Sequence, residues 1–362
     1  MANERRSSEM DGDKLRETAR TVFGALSGGC TSAMIHLGDR LGLYRALADV
    51  DAHDSRELAE VAGLSERWVR EWLYQQGAAG LLEHRGDGRF ALSPEGVAVL
   101  ADESHPAFGA GFFAHFPQTM QVVEALPVAF QTGVGLPYDA LGAEGAAGIE
   151  RGFAPWFRTL LVPMALPRIP GLVPRLETGA AVADVGCGTG VAMIEMARAF
   201  PKSDFHGYEL SEQALERGRA NAREASVSNV VFHDVRSEPL PDDARYDFVT
   251  TFDCLHDMTD PAAIIAAIRR AIRPDGSWLI ADIKCYGSYE ENVAENPMAA
   301  MMYGMSVLTC MSSALSEPGG AGLGTLGLHA SLMGEMVEAA GFGHFEEHDF
   351  GHPVNAFYLA RP

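Results

Sequence analysis

Residues Ala181 to Gly190, AVADVGCGTG, leave few choices of fold. An apolar run, β-branched at Val182 and Val185, ends in three alternating glycines, and a helical pattern begins at Val191. The glycines therefore lie between a strand and a helix, which is where open α/β sheets bind ligands. A loop this tight must visit positive φ and let a ligand reach the backbone with no Cβ in the way. The spacing is Gly186-x-Gly188-x-Gly190, with Asp184 two residues ahead of the first glycine. A dinucleotide fingerprint has two residues between its second and third glycines and does not fit. The next expected feature is an acid ending the second strand, placed to take both ribose hydroxyls of a nucleoside. Glu209 supplies it, closing the run Asp204 to Tyr208.

Asp184-x-Gly186-x-Gly188-x-Gly190 with Glu209 resembles the binding core of the class I S-adenosylmethionine-dependent methyltransferases. The resemblance implies S-adenosyl-L-methionine as cofactor and S-adenosyl-L-homocysteine as product. It also implies that Asp234 holds the adenine amino group with Val235 against the ring, and that Leu210, Phe252 and Asp253 complete the cofactor-binding set. The pattern from Leu176 onward agrees with an α/β fold, a Rossmann-like, seven-stranded methyltransferase sheet. Further strands are expected at Val230 to Phe232, Tyr246 to Phe252 and Ser277 to Ile283, with Phe345 to His348 and Ala356 to Ala360 as a closing antiparallel pair. Ser211 is placed to cap one helix; Asp260 caps another, with Pro261 at its first position.

Upstream, residues 1 to about 12 read as disordered, and apolar residues recur at helical spacing from Lys14 to Ala48. Ser55 and Ser65 are candidate caps of two further helices, and Gly86 to Gly88 turns between Leu81 to His84 and Arg89 to Leu92. Helix, turn, helix and hairpin make an N-terminal winged-helix, mostly α-helical domain over residues 1–105. Acids outnumber bases there, and the candidate recognition helix carries Glu66 and Glu71 beside Arg67 and Arg70, whereas DNA readers are basic on that face. The domain resembles the winged helix of plant and actinobacterial small-molecule O-methyltransferases, which implies homodimerisation through it. Residues 106–175, rich in aromatic residues such as Phe112, Phe113, Phe116, Trp156 and Phe157, read as a helical linker and roof of a substrate cavity. The resemblance implies that residues 176–362 are the S-adenosylmethionine-binding catalytic domain.

The loop Asp253-Cys254-Leu255-His256-Asp257-Met258 leaves the carboxyl end of the fourth strand, on the same edge as the glycines. In plant-type O-methyltransferases this loop carries a His-Asp pair whose histidine takes the acceptor's proton. His256-Asp257 matches it, and Met258 departs from the usual Trp. A phenol with a pKa near 10 is a poor nucleophile at neutral pH, and histidine, at about 6.5, is the side chain suited to accept its proton. Asp257, or Asp282 at the end of strand five, is placed to orient the imidazole, and His329 is a second candidate base. Met298, Met301, Met302, Met305 and Met311 are either core or pocket lining. No metal-ligand spacing is evident.

The formal charge of -21 argues against nucleic acid and anionic membranes as partners. No apolar run is long enough to span a bilayer, the start is polar, and the five scattered cysteines lack CxxC pairs, so a cytoplasmic protein with reduced thiols is expected. These features favour methyl transfer to a small, partly apolar molecule, led by O-methylation with His256 as general base. The rivals are N- or C-methylation on the same fold, and a winged-helix DNA-binding regulator that senses S-adenosylmethionine.

Overall fold

The structure, a computed structural model, describes residues 10–362. The expectation of disorder at the start falls mainly on residues outside that range; helix begins at Gly12. The described chain divides into two compact units, residues 10–103 with 107–116, and residues 104–106 with 117–362. The stretch from 117 to 175 thus belongs to the second unit, whereas Phe112, Phe113 and Phe116 belong to the first.

In the first unit the expected single helical stretch is two helices, Gly12–Arg40 and Leu43–Ala48. Gly42, at φ 73°, breaks them apart, a conformation that costs glycine least. The helices Ser55–Ala62 and Glu66–Ala78 follow. The first is capped by Asp54 and not by Ser55: the Asp54 carboxylate accepts from Arg56 and Glu57 N–H, and Glu57 accepts from Asp54 N–H. This reciprocal capping box satisfies donors that a helix start otherwise leaves orphaned. Ser65 stands at the cap of the second helix, but its side chain makes no capping bond. The hairpin is shorter than expected, β1 at Glu83–His84 against β2 at Phe90–Ala91. Leu81 and Leu82 N–H both donate to the Gln76 carbonyl, finishing the helix instead of entering the strand. Leu43, Leu47, Leu58, Trp72 and Leu73 make the core, and Trp72 Nε1 donates to the Met34 carbonyl at 2.9 Å.

The second unit is built on a seven-stranded sheet: β3 (Ala181–Val185), β4 (Asp204–Glu209), β5 (Val230–Asp234), β6 (Tyr246–Phe252), β7 (Ile272–Ile283), β8 (His344–His348) and β9 (Asn355–Arg361). Their order is β5-β4-β3-β6-β7-β9-β8. The first five in that order are parallel, and β9 is antiparallel to both its neighbours. From β3 the chain winds outward to β4 and β5, then returns to lay β6 on the other side of β3. The switch point between β3 and β6 is where ligands bind in such sheets. β7 begins earlier than Ser277, at Ile272, and its pairing shifts register at Pro274 to Gly276: Tyr246 pairs with Ile272, and Phe248 with Ser277.

Apolar side chains cover both sheet faces. One core gathers Val249, Leu255, Ile265, Ile268, Trp278 and Ile280, the other Val182, Met193, Phe205, Phe248, Leu279 and Leu359. The Trp278 indole N–H is satisfied by Thr251 Oγ1 at 3.1 Å, as a buried indole requires. Ser211 Oγ accepts from Ala214 N–H, and Asp260 from Ala263 N–H, so both expected caps form. His329 caps the helix Ala330–Ala339 through Nδ1, which accepts from Leu332 N–H at 3.3 Å.

Over the switch point runs the helix Gly142–Trp156, which passes into a π-helical stretch, Phe157–Ala165. Pro155 and Pro163 lie within this pair. Proline has no N–H to give an α-helical ladder, and the wider turn accommodates that loss.

Candidate active site

The carboxyl ends of β3, β4 and β6 open on a cavity of about 540 Å³, lined in part by Asp184, Gly186, Gly188, Glu209, Leu210 and Val235. Gly186 and Gly190 have φ of 69° and 74°. A Cβ on Gly186 would stand 2.7 Å from Cys254 Sγ, and one on Gly190 would stand 2.5 Å from the Phe232 ring. Both positions therefore require glycine twice over, for conformation and for space. The sharp turn aims backbone into the cavity: Gly188 N–H donates to Glu209 Oε2 at 2.8 Å. Glu209 Oε1 accepts from Leu210 and Ser211 N–H, at 2.7 and 2.9 Å. Burial pushes the Glu209 pKa up, and these three N–H groups oppose that shift.

Asp184, only 1% exposed, accepts from Thr250 Oγ1 at 2.7 Å. Burial raises its pKa to about 7, despite the Thr250 bond. Asp253 is also raised to about 7, by burial and by the Asp282 charge. It lies at φ 49°, and its carboxylate accepts from Asn355 Nδ2. Phe252 lines the cavity with its ring 5.1 Å from that of Phe157. Asp234 stands at the end of β5 as expected, but it is not among the lining residues. Arg236 holds its carboxylate in a two-pronged pair at 2.8 and 2.7 Å and lowers its pKa to about 2. Val235 and Arg236 line the wall there.

The loop after β6 forms a turn of 3₁₀ helix, Leu255–Asp257. His256 is 2% exposed, and its Nδ1 is 2.5 Å from Asp282 Oδ1. Of the two acids considered as its partner, Asp282 makes the bond; it comes from the adjacent strand β7. Burial alone would depress the His256 pKa, but the Asp282 charge and hydrogen bond, with the Cys310 sulfur, carry it well above 6.5. Cys310 is the reciprocal case, its pKa lowered by His256 against the effect of burial. Asp257, not His256, lines the cavity, and burial raises its pKa well above the usual carboxylate range. His329 serves as the helix cap described above, and none of the five methionines named from the sequence is a lining residue; Met258 is.

Tyr138, within the aromatic-rich region 106–175, lines the cavity, whereas several lining residues carried no sequence signal: Asp139, Ile149, Glu150, Ser313 and Ser316. Asp139 accepts from Ser211 Oγ. Glu150 is held by Arg217 Nε at 3.1 Å and Asn221 Nδ2 at 2.9 Å.

Comparison with known proteins agrees with this geometry. Residues 176–342 match the family described as Methyltransferase domain, and residues 29–102 match the Rv2258c-like winged HTH domain. A ubiquinone biosynthesis O-methyltransferase of Neisseria meningitidis is 36% identical over 103 residues, which cover 27% of this chain and 42% of that protein. The chain thus spans about two fifths of the length of the curated relatives it matches. Among solved structures, human N-acetylserotonin methyltransferase, in complex with S-adenosylmethionine, superposes with TM-score 0.67 at 16% identity, covering 98% of this chain and 99% of that one. Mitomycin 7-O-methyltransferase superposes with TM-score 0.66 at 20% identity, covering 97% and 100%. At such identities these neighbours show the fold. The chain therefore joins a segment similar to the Rv2258c-like winged HTH domain to one that matches a methyltransferase domain.

Proposed function

We propose that this chain is an S-adenosylmethionine-dependent methyltransferase that methylates a hydroxyl of a small, partly apolar acceptor, with His256 as general base. The observation that carries this reading is the glycine loop and the half-buried Glu209 carboxylate facing one cavity with the loop after β6. The residues fit the cofactor: Gly188 has open space where a Cβ would stand, and Glu209 and Asp184 are acceptors suited to ribose hydroxyls and an ammonium group. When bound, the cofactor supplies a methyl group made electrophilic by its sulfonium sulfur. Tyr138, Ile149, Phe153 and Phe157 line the cavity with largely apolar surface, which supports the substrate-roof role expected for the region 106–175. Asp282 holds His256 by Nδ1 and the Cys310 sulfur bonds the ring as well, so Nε2 takes the acceptor's proton once the acceptor hydroxyl replaces that thiol.

Val22, Phe23 and Leu26, each more than 60% exposed on the first helix, support homodimerisation through the N-terminal unit. No helix among the described residues is long and apolar enough to cross a membrane, in keeping with a cytoplasmic enzyme.

General-base assistance is typically worth about 10² to 10⁴ in rate. His256→Ala is accordingly expected to lower kcat by that factor at neutral pH with little change in cofactor affinity, read by single-turnover methyl transfer and calorimetry. A second reading, N- or C-methylation without a base role, is favoured by the near-complete burial of His256 off the cavity wall. Unchanged turnover in His256→Ala would establish it instead.

A further inference from the structure

The cavity is heavily acidic. Beyond Asp184 and Glu209, five carboxyl groups line it, Asp139, Glu150, Asp253, Asp257 and Asp260, against one cationic side chain, Arg236. Four of the five have partners within the protein: Asp139 has Ser211 Oγ, Glu150 has Arg217 and Asn221, Asp253 has Asn355, and Asp260 caps its helix. Arg236 is already engaged by Asp234. Asp257 stands apart: among the described residues no hydrogen bond reaches its carboxyl, while the charge on His256 favours its ionised form. The same cavity is lined by Tyr138, Phe157, Phe252 and Met258.

A half-buried carboxyl on a cavity wall with no protein donor is open to a donor carried by a ligand. Aromatic faces beside it attract a cation and give nothing to an anion. A carboxylated acceptor would find no guanidinium free among the lining residues to receive it.

We infer that the acceptor is a small aromatic hydroxyl compound bearing a cationic amine, with the Asp257 carboxylate as counter-ion to that amine. This inference rests on the methyl-transfer reading above, whose acceptor it specifies. An ammonium group supplies the donor that Asp257 lacks and lies against the aromatic wall, while the hydroxyl is left for the reacting end of the cavity. Asp257 then acts in acceptor selection, and His256 with Asp282 in proton transfer.

The test is calorimetric titration of the full chain, saturated with S-adenosylhomocysteine, with three phenols that differ in their side-chain head group: tyramine, para-ethylphenol and para-hydroxyphenylacetate. Charge-assisted hydrogen bonds imply that tyramine binds at least about tenfold more tightly than the neutral phenol, with the acid weakest. In Asp257→Asn the advantage of tyramine over para-ethylphenol falls to within about threefold, and binding of S-adenosylhomocysteine by this variant verifies its fold. Equal affinity for the three phenols, a preference for the acid, no tyramine binding, or an amine preference that survives in Asp257→Asn overturns the inference. The wild-type series decides on its own should the variant fail to fold. If S-adenosylhomocysteine does not bind the wild type, the methyl-transfer reading falls as well; if it binds and the amine gains nothing, only the choice of acceptor falls.

Discussion

Glu209→Ala is expected to weaken S-adenosylhomocysteine binding by about 10² to 10⁴, since two hydrogen bonds to a charged group are lost at about 1.5–3 kcal/mol each. The carboxylate is pre-organised for that role. Its two oxygens are fixed by the backbone N–H groups of Gly188, Leu210 and Ser211, so little side-chain entropy remains to be lost on binding. The substitution also removes the acceptor that ties the glycine loop to the end of β4. Glu209→Gln, which keeps one acceptor oxygen, should fall between wild type and alanine. Calorimetry on the three proteins checks the order, and equal affinity for all three would remove Glu209 from the site.

Asp282→Asn is expected to cost about 3–5 kcal/mol of stability, the range found when one partner of a buried ion pair is removed. His256 and Asp282 are 2% and 1% exposed, and water cannot take over for the missing charge. The pH dependence has a definite sign. His256 has a folded-state pKa well above 6.5, so its contribution is fully present below about 6.5, its unfolded value. It is lost as pH rises through the raised folded value. The stability gap between wild type and Asp282→Asn should therefore be widest in mildly acidic solution and close as pH climbs. Catalysis runs the other way. A base must be neutral to accept a proton, so wild-type kcat should keep rising with pH beyond the ordinary histidine range. In Asp282→Asn, burial dominates, the His256 pKa drops, and the rising limb moves to lower pH. Denaturant melts and kcat profiles across pH test both signs; a pH-independent gap together with an unmoved limb contradicts the pairing.

What could be read from the sequence was what is local in the chain. Asp184, the three glycines and Glu209 lie on a strand–loop–helix–strand run whose geometry nearest neighbours dictate, and the sheet brings them together. The Ser211 and Asp260 caps were legible for the same reason. The first winged-helix cap slipped by one residue because Asp54 and Ser55 are both good capping types, and only Glu57 reaching back to Asp54 decides between them. The partner of His256 depends on strand pairing instead. Asp257 is adjacent in sequence, but β7 lies beside β6, with Phe252 opposite Ala281, and that register brings Asp282 to the imidazole. Asp234 was placed correctly at its strand end, whereas its engagement by Arg236 is a side-chain choice that no pattern reports. Asp139 and Glu150 gave no signal because their helices carry no motif and reach the cavity only through packing.

The most direct test of the account is transfer of labelled methyl from S-adenosylmethionine to a panel of phenols, amines and activated carbon acids by wild type and by Glu209→Ala. The account predicts that a phenolic oxygen takes the label with wild type, and that Glu209→Ala loses the transfer at cofactor concentrations that saturate wild type. Label appearing only on nitrogen or carbon would contradict the hydroxyl assignment, and undiminished transfer by Glu209→Ala would contradict the site itself.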